Sequence, residues 1–208
     1  MSSTAYFKEV ATKWDTMRKG FFSDNVREKA YKVAGVKKGD VAADLGAGTG
    51  FITEGLAQRG VKVVAVDVVP EMLDVLTKNI DSPDLVETRV GESENLPLTD
   101  SSVDFAFANM YLHHVESPLV AIREMHRILK KDGLVVLTDL DAHTFEFLKT
   151  EHNDRWMGFD REDIKLWFGE AGFTDIKVDC VGETCDSTSA CSGQAASISV
   201  FIASARKQ

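Results

Sequence analysis

Acidic residues and glycines with the spacing of a ligand-binding turn follow the first predicted strand of this 208-residue chain. Residues 41–45 predict a buried strand, and the run from Asp44 to Gly50 carries glycine at positions 46, 48 and 50. Glycine lets the backbone turn sharply and lets a ligand approach without meeting a Cβ atom. The Asp44 carboxylate would repel a phosphate and attract a cation at short range. The pattern favours a ligand with a positively charged end over a tight turn that binds nothing.

A second acidic residue, Asp67, ends the next predicted strand. A carboxylate there can accept two hydrogen bonds from a ribose diol, a geometry that dinucleotide-binding proteins also use. The dinucleotide spacing G-x-G-x-x-G fits poorly, because its third glycine, counted from Gly46, would fall at Phe51. An exposed Asp at a strand end without a ligand is the alternative for Asp67.

Strands and helices alternate along the chain, and this order must position those residues. Apolar runs predict strands near residues 41–45, 61–66, 86–90, 103–108, 134–137, 176–180 and 197–203. Helical spacing predicts helices near residues 4–18, 25–35, 51–59, 117–130 and 161–171, and one more that begins at Pro70. The alternation predicts an α/β fold with a mainly parallel, doubly wound sheet and helices on both faces. Such sheets bind ligands at the carboxyl ends of their central strands.

Composition excludes several functional classes. Lys and Arg number 24 against 33 Asp and Glu, a net charge of −9, which disfavours a nucleic-acid partner. No apolar run approaches the roughly 20 residues needed to span a bilayer. The N-terminus lacks the pattern of a signal peptide, and the three cysteines are an odd number. These features predict a cytoplasmic protein with reduced thiols; they leave the oligomeric state open.

The sequence D-x-G-x-G-x-G from Asp44 to Gly50 resembles motif I of the class I S-adenosylmethionine-dependent methyltransferases. Gly91 to Pro97 resembles the G-D-A-E-x-L-P segment of their small-molecule, ubiquinone/menaquinone-biosynthesis-like group. The resemblance covers about residues 36–140. It implies a Rossmann-like seven-stranded sheet with an antiparallel C-terminal strand. It also implies a helical lid over residues 1–35 and a methyltransferase domain over residues 36–208.

The resemblance assigns cofactor contacts to strand ends. It implies that S-adenosylmethionine binds with its methionine end at Asp44 and the glycine turn, its ribose at Asp67 and its sulfonium near an amide side chain. The adenine would lie beside two apolar residues and an acidic loop. The implied cofactor-binding residues are Asp44, Gly46, Ala47, Gly48, Asp67, Val68, Met72, Glu92, Ser93 and Asn109.

The acceptor side of the site is less defined by the sequence. His113 and His114 follow the fourth predicted strand, where a histidine can serve as general base or be held by the backbone. Between them, His114 is the first choice. In the family, the N-terminal helices and the segment after strand five close over the acceptor. Tyr6, Trp14 and Trp156 are therefore candidate acceptor contacts, with ordinary packing as the alternative.

These observations predict an enzyme that transfers a methyl group from S-adenosylmethionine to a small-molecule acceptor. One alternative is methylation of arsenite through Cys180, Cys185 and Cys191; incidental thiols in a flexible loop are the simpler interpretation. Their spacing matches no zinc signature, so we predict no resident metal. A non-catalytic module that binds the cofactor and a nicotinamide oxidoreductase also stay open as functions.

Overall fold

The computed structural model describes residues 3–208, whose seven strands form one central sheet. The strands are β1 (Val41–Leu45), β2 (Lys62–Asp67), β3 (Val86–Val90), β4 (Val103–Asn109), β5 (Leu129–Leu140), β6 (Phe173–Thr188) and β7 (Ala195–Lys207). The α-helices are α1 (Ser3–Val10), α2 (Trp14–Arg18), α3 (Asn25–Ala34), α4 (Phe51–Gln58), α5 (Pro70–Asn79), α6 (Pro118–Ile128), α7 (Phe147–Glu151) and α8 (Arg161–Glu170).

The strand order is β3-β2-β1-β4-β5-β7-β6. Strands β1 to β5 are parallel, whereas β7 pairs antiparallel with both β5 and β6. The predicted doubly wound sheet with an antiparallel C-terminal strand is confirmed. Strand order reverses between β1 and β4, and this switch point is where open α/β sheets bind ligands.

Apolar side chains cover both faces of the sheet. One cluster packs Ile122 of α6 and Phe168 of α8 against sheet residues such as Leu45. The other packs Val26 of α3 and Leu56 of α4 against the opposite face. Burial on both faces fixes the strands and leaves the loops at their carboxyl ends free to form a site.

The N-terminal segment is two short helices rather than the one predicted over residues 4–18. A 3₁₀ turn at Ala11–Lys13 separates α1 from α2. The separation lets Phe7, Ala11 and Trp14 pack against Val69 and Met72 at the start of α5. Met1 and Ser2, which begin the predicted lid, lie outside the described residues.

Strand β6 is much longer than the predicted strand at residues 176–180. Its side chains alternate between partly buried and exposed while it pairs with β7, and the register shifts between Cys180 and Thr184. Gly182 lies in that irregularity with φ of +85°, as glycine often does in a β-bulge. The predicted flexible loop is therefore wrong for Cys185, which lies on a paired strand, whereas Cys180 lies on β6 as the predicted strand over residues 176–180 has it. No helix within residues 3–208 is long and apolar enough to cross a membrane.

Candidate active site

Two adjoining cavities lie at the carboxyl ends of the central strands. The first cavity opens beside the turn after β1 and the ends of β2 and β4, and it includes Gly46, Asp67 and Asn109. The second cavity lies between the N-terminal helices and the loops after β4 and β5, and it includes Tyr6 and Asp154. Five residues line both cavities: Phe7, Trp14, Phe22, Met110 and His114.

The glycine turn forms one wall of the first cavity. Gly46, Gly48 and Gly50 all have positive φ, at 66°, 53° and 100°. A Cβ atom on Gly46 would overlap Cδ2 of Tyr111, whereas one on Gly48 would meet nothing nearer than Trp14 Nε1 at 3.8 Å. The turn therefore needs glycine at position 46 for packing, and it leaves open space above position 48.

Asp67 faces the first cavity from the end of β2. Its Oδ2 accepts a hydrogen bond from the Gly48 N–H at 2.8 Å, and its Oδ1 accepts one from the Val69 N–H at 2.9 Å. Burial raises the pKa of this carboxyl, while these backbone donors oppose the rise. Each oxygen keeps a lone pair, so the carboxylate can still accept two hydroxyl groups of a ribose.

Asp44 is placed differently from the sequence prediction. Its carboxylate is buried beneath the turn and is not among the residues that line the first cavity. Oδ2 accepts hydrogen bonds from the Thr53 N–H at 3.0 Å and the Thr53 hydroxyl at 2.6 Å. Burial raises the pKa of Asp44 to about 7. Asp44 therefore ties the glycine turn to the first turn of α4 instead of facing a ligand.

Of the four residues predicted beside the adenine, three line the first cavity and one does not. Val68, Met72 and Ser93 line the first cavity, with Val68 43% exposed and Met72 buried. Glu92 does not line it, and its backbone instead forms an isolated bridge with Asn95. The sequence prediction relied on Glu92 and Ser93 together, but in the loop after β3 only Ser93 reaches the first cavity.

Asn109 lines the first cavity at the end of β4. Its Oδ1 accepts a hydrogen bond from the Thr138 hydroxyl at 2.8 Å. This bond fixes the amide orientation and leaves the NH₂ group to donate toward the cavity. Ala47 lines the same cavity within the glycine turn.

The first cavity fits S-adenosylmethionine by the chemistry of its donors. It combines open space over Gly48, a carboxylate with free lone pairs at Asp67, an apolar strip at Val68 and Met72, and a directed amide at Asn109. Among residues 3–208 no Lys lines it, and its cations are Arg18 and Arg155. The set suits a diol, a flat heterocycle and a compact cation.

His113 is the charged histidine of the second cavity. Its Nδ1 lies 2.6 Å from Asp139 Oδ1, and its Nε2 lies 3.9 Å from Asp154 Oδ1. Burial lowers its pKa, but the two carboxylates outweigh burial and raise the pKa to about 9. His113 therefore carries a proton at neutral pH in this environment.

The pKa of His114 shifts in the opposite direction from that of His113. Burial, followed by the charge of His113, lowers its pKa well below the usual value. Its Nδ1 is buried and has no hydrogen-bond partner in the part of the chain that the structure describes. The pKa of His152, in the same cavity, is also lowered by burial. A neutral His114 between the two cavities can accept a proton or a hydrogen bond.

The three aromatic residues predicted to contact the acceptor differ in their position relative to the cavities. Tyr6 lines the second cavity, with its ring centroid 6.5 Å from that of His152. Trp14 lines both cavities and packs edge-on against Phe7. Trp156 lines neither cavity, because its Nε1–H donates to the Val115 carbonyl at 3.0 Å and its ring packs on Phe159.

Sequence reasoning missed Asp139 and Asp154. Asp139 is fully buried near the end of β5, where an acid within the apolar run 134–140 was the available signal. Asp154 lies in a loop without any motif, and only the fold brings it to His113.

The three cysteines do not form a metalloid site. Cys185 lines the second cavity, whereas Cys180 and Cys191 line neither cavity. Within residues 3–208, the group of metal-ligating side chains that comes together is His113, His114 and Asp154, without any cysteine. Burial also raises the pKa of Cys185 to about 12, which keeps its thiol protonated. The arsenite alternative is therefore unsupported.

Comparisons with known proteins agree with this geometry. Residues 43–137 match a family model described as a methyltransferase domain. A demethylmenaquinone methyltransferase of Staphylococcus aureus is 28% identical over 204 residues, covering 83% of this chain and 85% of that protein.

Two further similarities support less: the first covers only part of each chain, and the second has low sequence identity. A biotin biosynthesis bifunctional protein, BioHC, of Cellvibrio japonicus is 36% identical over 106 residues. That match covers 51% of this chain but only 21% of the relative. A Thermotoga maritima structure, described as a SAM-dependent methyltransferase and possible histamine N-methyltransferase, superposes with a TM-score of 0.71 at 23% identity. It covers 97% of this chain and 98% of that one, and at this identity it supports the fold alone.

Proposed function

We propose that this protein, a class I S-adenosylmethionine-dependent methyltransferase, transfers the methyl group to a small molecule held in the second cavity and releases S-adenosylhomocysteine. The observation that carries the proposal is the wall shared by the two cavities, which includes Met110 and His114. A donor in one cavity and an acceptor in the other would meet there. Holding both reactants in line supplies much of the rate enhancement in such transfers.

The residues of the first cavity take separate roles in this proposal. Asp67 accepts the ribose hydroxyls, and Val68 and Met72 pack against the adenine, with Ser93 at its edge. The glycine turn, Gly46 to Gly48 with Ala47, and the Asn109 amide hold the methionine end. Asp44 acts through the turn, because Thr53 occupies its Oδ2. When bound, the cofactor supplies an electrophilic methyl group on a positively charged sulfur.

We assign the proton-accepting role to His114 rather than to His113. A general base must be unprotonated before the reaction, and the lowered pKa of His114 meets this condition. His113 is already protonated beside Asp139 and Asp154 and cannot accept a second proton. His113 then serves to hold the loop and the charge balance of the second cavity. Glu92 and Trp156 stay candidates only for indirect roles, since neither lines a cavity.

The N-terminal helices act as a lid in this proposal. Lys8 pairs with Glu71 at 2.7 Å, and Asp15 accepts hydrogen bonds from Thr49 at 2.5 Å and from Asn79 at 3.2 Å. These polar contacts join α1 and α2 to the glycine turn and α5. Opening of α1 and α2 would exchange these polar contacts with water and expose the apolar contacts of Phe7, Ala11 and Trp14, while α3 and the sheet stay packed.

The proposal is tested by binding and turnover on the same preparation. Calorimetry should detect S-adenosylmethionine binding more tightly than NADH, and a panel of quinols, phenols and amines should include an acceptor that yields S-adenosylhomocysteine. Cofactor binding without product for any acceptor would favour the non-catalytic module. Tighter binding of NADH would favour the oxidoreductase.

A further inference from the structure

The second cavity contains a buried carboxylate without a hydrogen bond. The side chain of Asp154 is 5% exposed, and within residues 3–208 no hydrogen bond reaches its carboxylate oxygens. Its nearest charged partner is His113 Nε2 at 3.9 Å, beyond hydrogen-bonding distance. A buried carboxylate in that state is costly unless a cation or a donor joins it.

Two imidazole nitrogens lie near that carboxylate. One ligand atom each from His113, His114 and Asp154 lie within 4.8 Å of one another. Ligand atoms bound to one tetrahedral ion at about 2.0–2.2 Å would lie roughly 3.4 Å apart. Holding one ion therefore needs a contraction of about 0.5 Å between His113 Nε2 and Asp154 Oδ1, and of at most about 1.4 Å for the widest pair of the three.

Asp139 supplies the support that a metal-binding histidine requires. Its Oδ1 lies 2.6 Å from Nδ1 of His113, and its Oδ2 accepts the Leu112 N–H at 2.8 Å. Oδ1 also accepts the Leu140 N–H at 2.8 Å, so the carboxylate is fixed. A carboxylate on one ring nitrogen directs the other nitrogen outward and increases its strength as a ligand. Here the outward nitrogen is Nε2, which faces Asp154.

We propose that His113, His114 and Asp154 form a binding site for one divalent transition-metal ion of the zinc type, which replaces the proton on Nε2 of His113 and releases that proton to solvent. Two imidazoles and one carboxylate are a ligand set typical of such ions, and three protein ligands leave a coordination position open. Tyr6 and Phe7 line the same cavity as these three residues, so an acceptor held there would lie beside the ion.

The open position suits an acceptor that carries a hydroxyl group. A bound ion would lower the pKa of that hydroxyl and orient its oxygen, and the hydroxyl proton would pass to water. His114 would then hold the ion, and its role as proton acceptor would apply to the protein without the ion. This second part rests on the proposed function, whereas ion binding itself does not. Cys185 lines the same cavity, but it is not part of the group of ligand atoms that come together within residues 3–208.

The test is a metal titration of the full chain after treatment with a chelator. Zn²⁺ is measured by calorimetry and Co²⁺ by its visible absorption, both without cofactor. We expect one equivalent to bind the wild-type protein. Asp154→Asn and His114→Gln should each weaken binding by at least the roughly 10- to 100-fold that changes in supporting residues cost. Asp139→Asn should weaken it within that range.

Matched controls are His126→Gln, on α6 against Phe173, and Asp175→Asn, which is exposed on β6. Both should bind the ion as the wild type does, and thermal melts check that every variant is folded. The site is overturned if the wild-type protein shows no saturable binding. It is also overturned if Asp154→Asn and His114→Gln both bind the ion with wild-type affinity.

Turnover separates this inference from the proposed function. Equal product formation by the chelated and the metal-loaded protein would keep the methyl transfer and overturn the role of the ion. One-equivalent binding without product for any acceptor would keep the ion site and contradict the proposed function.

Discussion

The first cavity takes its polar groups from positions at or just after the ends of strands, whereas the second cavity takes Asp154 from a loop that follows no strand. Gly48 and Asp67 are 19 residues apart and joined by one hydrogen bond. His113 and Asp154 lie in different loops and meet only in the folded chain. The difference suggests that the first cavity holds a ligand shared widely by this fold and the second defines what is particular to this chain.

Their electrostatics differ as well. In the first cavity, backbone N–H groups neutralise the Asp67 carboxylate. In the second, Asp139 and Asp154 are balanced by the single charge of His113. The Asp67 carboxylate is thus prepared to accept the hydroxyl groups of a diol, and the second cavity to take a further positive charge or a polarised donor.

The greatest loss of activity should come from a substitution in the second cavity that leaves cofactor binding in the first cavity intact. His114→Gln should lower kcat by about 10²- to 10⁴-fold, the usual range for a general base, and leave S-adenosylmethionine affinity nearly unchanged. Steady-state kinetics and calorimetry measure the two quantities. His126→Gln is the matched control. Unchanged kcat in His114→Gln would remove the catalytic role from the second cavity.

A pH titration of stability tests the buried acid beneath the first cavity. Asp44 has a pKa of about 7 when folded against 3.8 ordinarily, so the folded state binds more protons between these values. Its contribution to the free energy of unfolding should therefore fall as pH rises from about 4 to 7. Asp44→Asn should remove this pH-dependent contribution, worth up to about 4 kcal/mol.

Urea unfolding of both proteins across that range gives the measurement. The difference between Asp44→Asn and wild type should grow toward pH 7 in favour of the variant. A constant difference would show that the pKa of Asp44 is not raised in the folded protein.

Ribose binding is tested by Asp67→Ala. Loss of two hydrogen bonds to a charged group, at about 1.5 kcal/mol each, should weaken S-adenosylmethionine binding about 100-fold. Calorimetry measures the change, and exposed Asp74→Ala on α5 is the control. Wild-type affinity in Asp67→Ala would make the ribose assignment wrong.

The smallest expected effect is a difference in stability between two glycine substitutions, which distinguishes close packing from backbone strain. Gly46 and Gly39 both have positive φ, but of these two only Gly46 has a close neighbour for an added Cβ, namely Tyr111 Cδ2. Both substitutions to Ala carry the strain of the left-handed region. Gly46→Ala should lose roughly 1–3 kcal/mol more than Gly39→Ala in urea unfolding, because of overpacking. Equal losses would mean that Tyr111 moves aside freely.

The sequence predicted the sheet well because buried parallel strands appear as apolar runs and their helices as periodic ones. It also predicted that Gly46, Gly48 and Asp67 lie at or just after strand ends, where the structure places them beside the first cavity; their role in cofactor binding stays a prediction. Strand β6 was underestimated, because alternating, partly exposed residues from Phe173 to Thr188 form a strand only through pairing with β7.

The second cavity was not predictable in the same way. Asp154 has no local pattern, and its position depends on the path of the loop after α7. His113 and His114 are adjacent in the sequence, yet opposite pKa shifts distinguish them, and these shifts come from Asp139, Asp154 and burial. Such long-range contacts leave no spacing to detect.

A crystal structure of the protein with S-adenosylhomocysteine would decide whether the shared wall is where donor and acceptor meet. We predict the ribose hydroxyls on Asp67, the adenine beside Val68 and Met72, and the sulfur directed toward His114 and the second cavity. A ligand bound elsewhere, or one whose sulfur faces away from the second cavity, would contradict the proposed transfer.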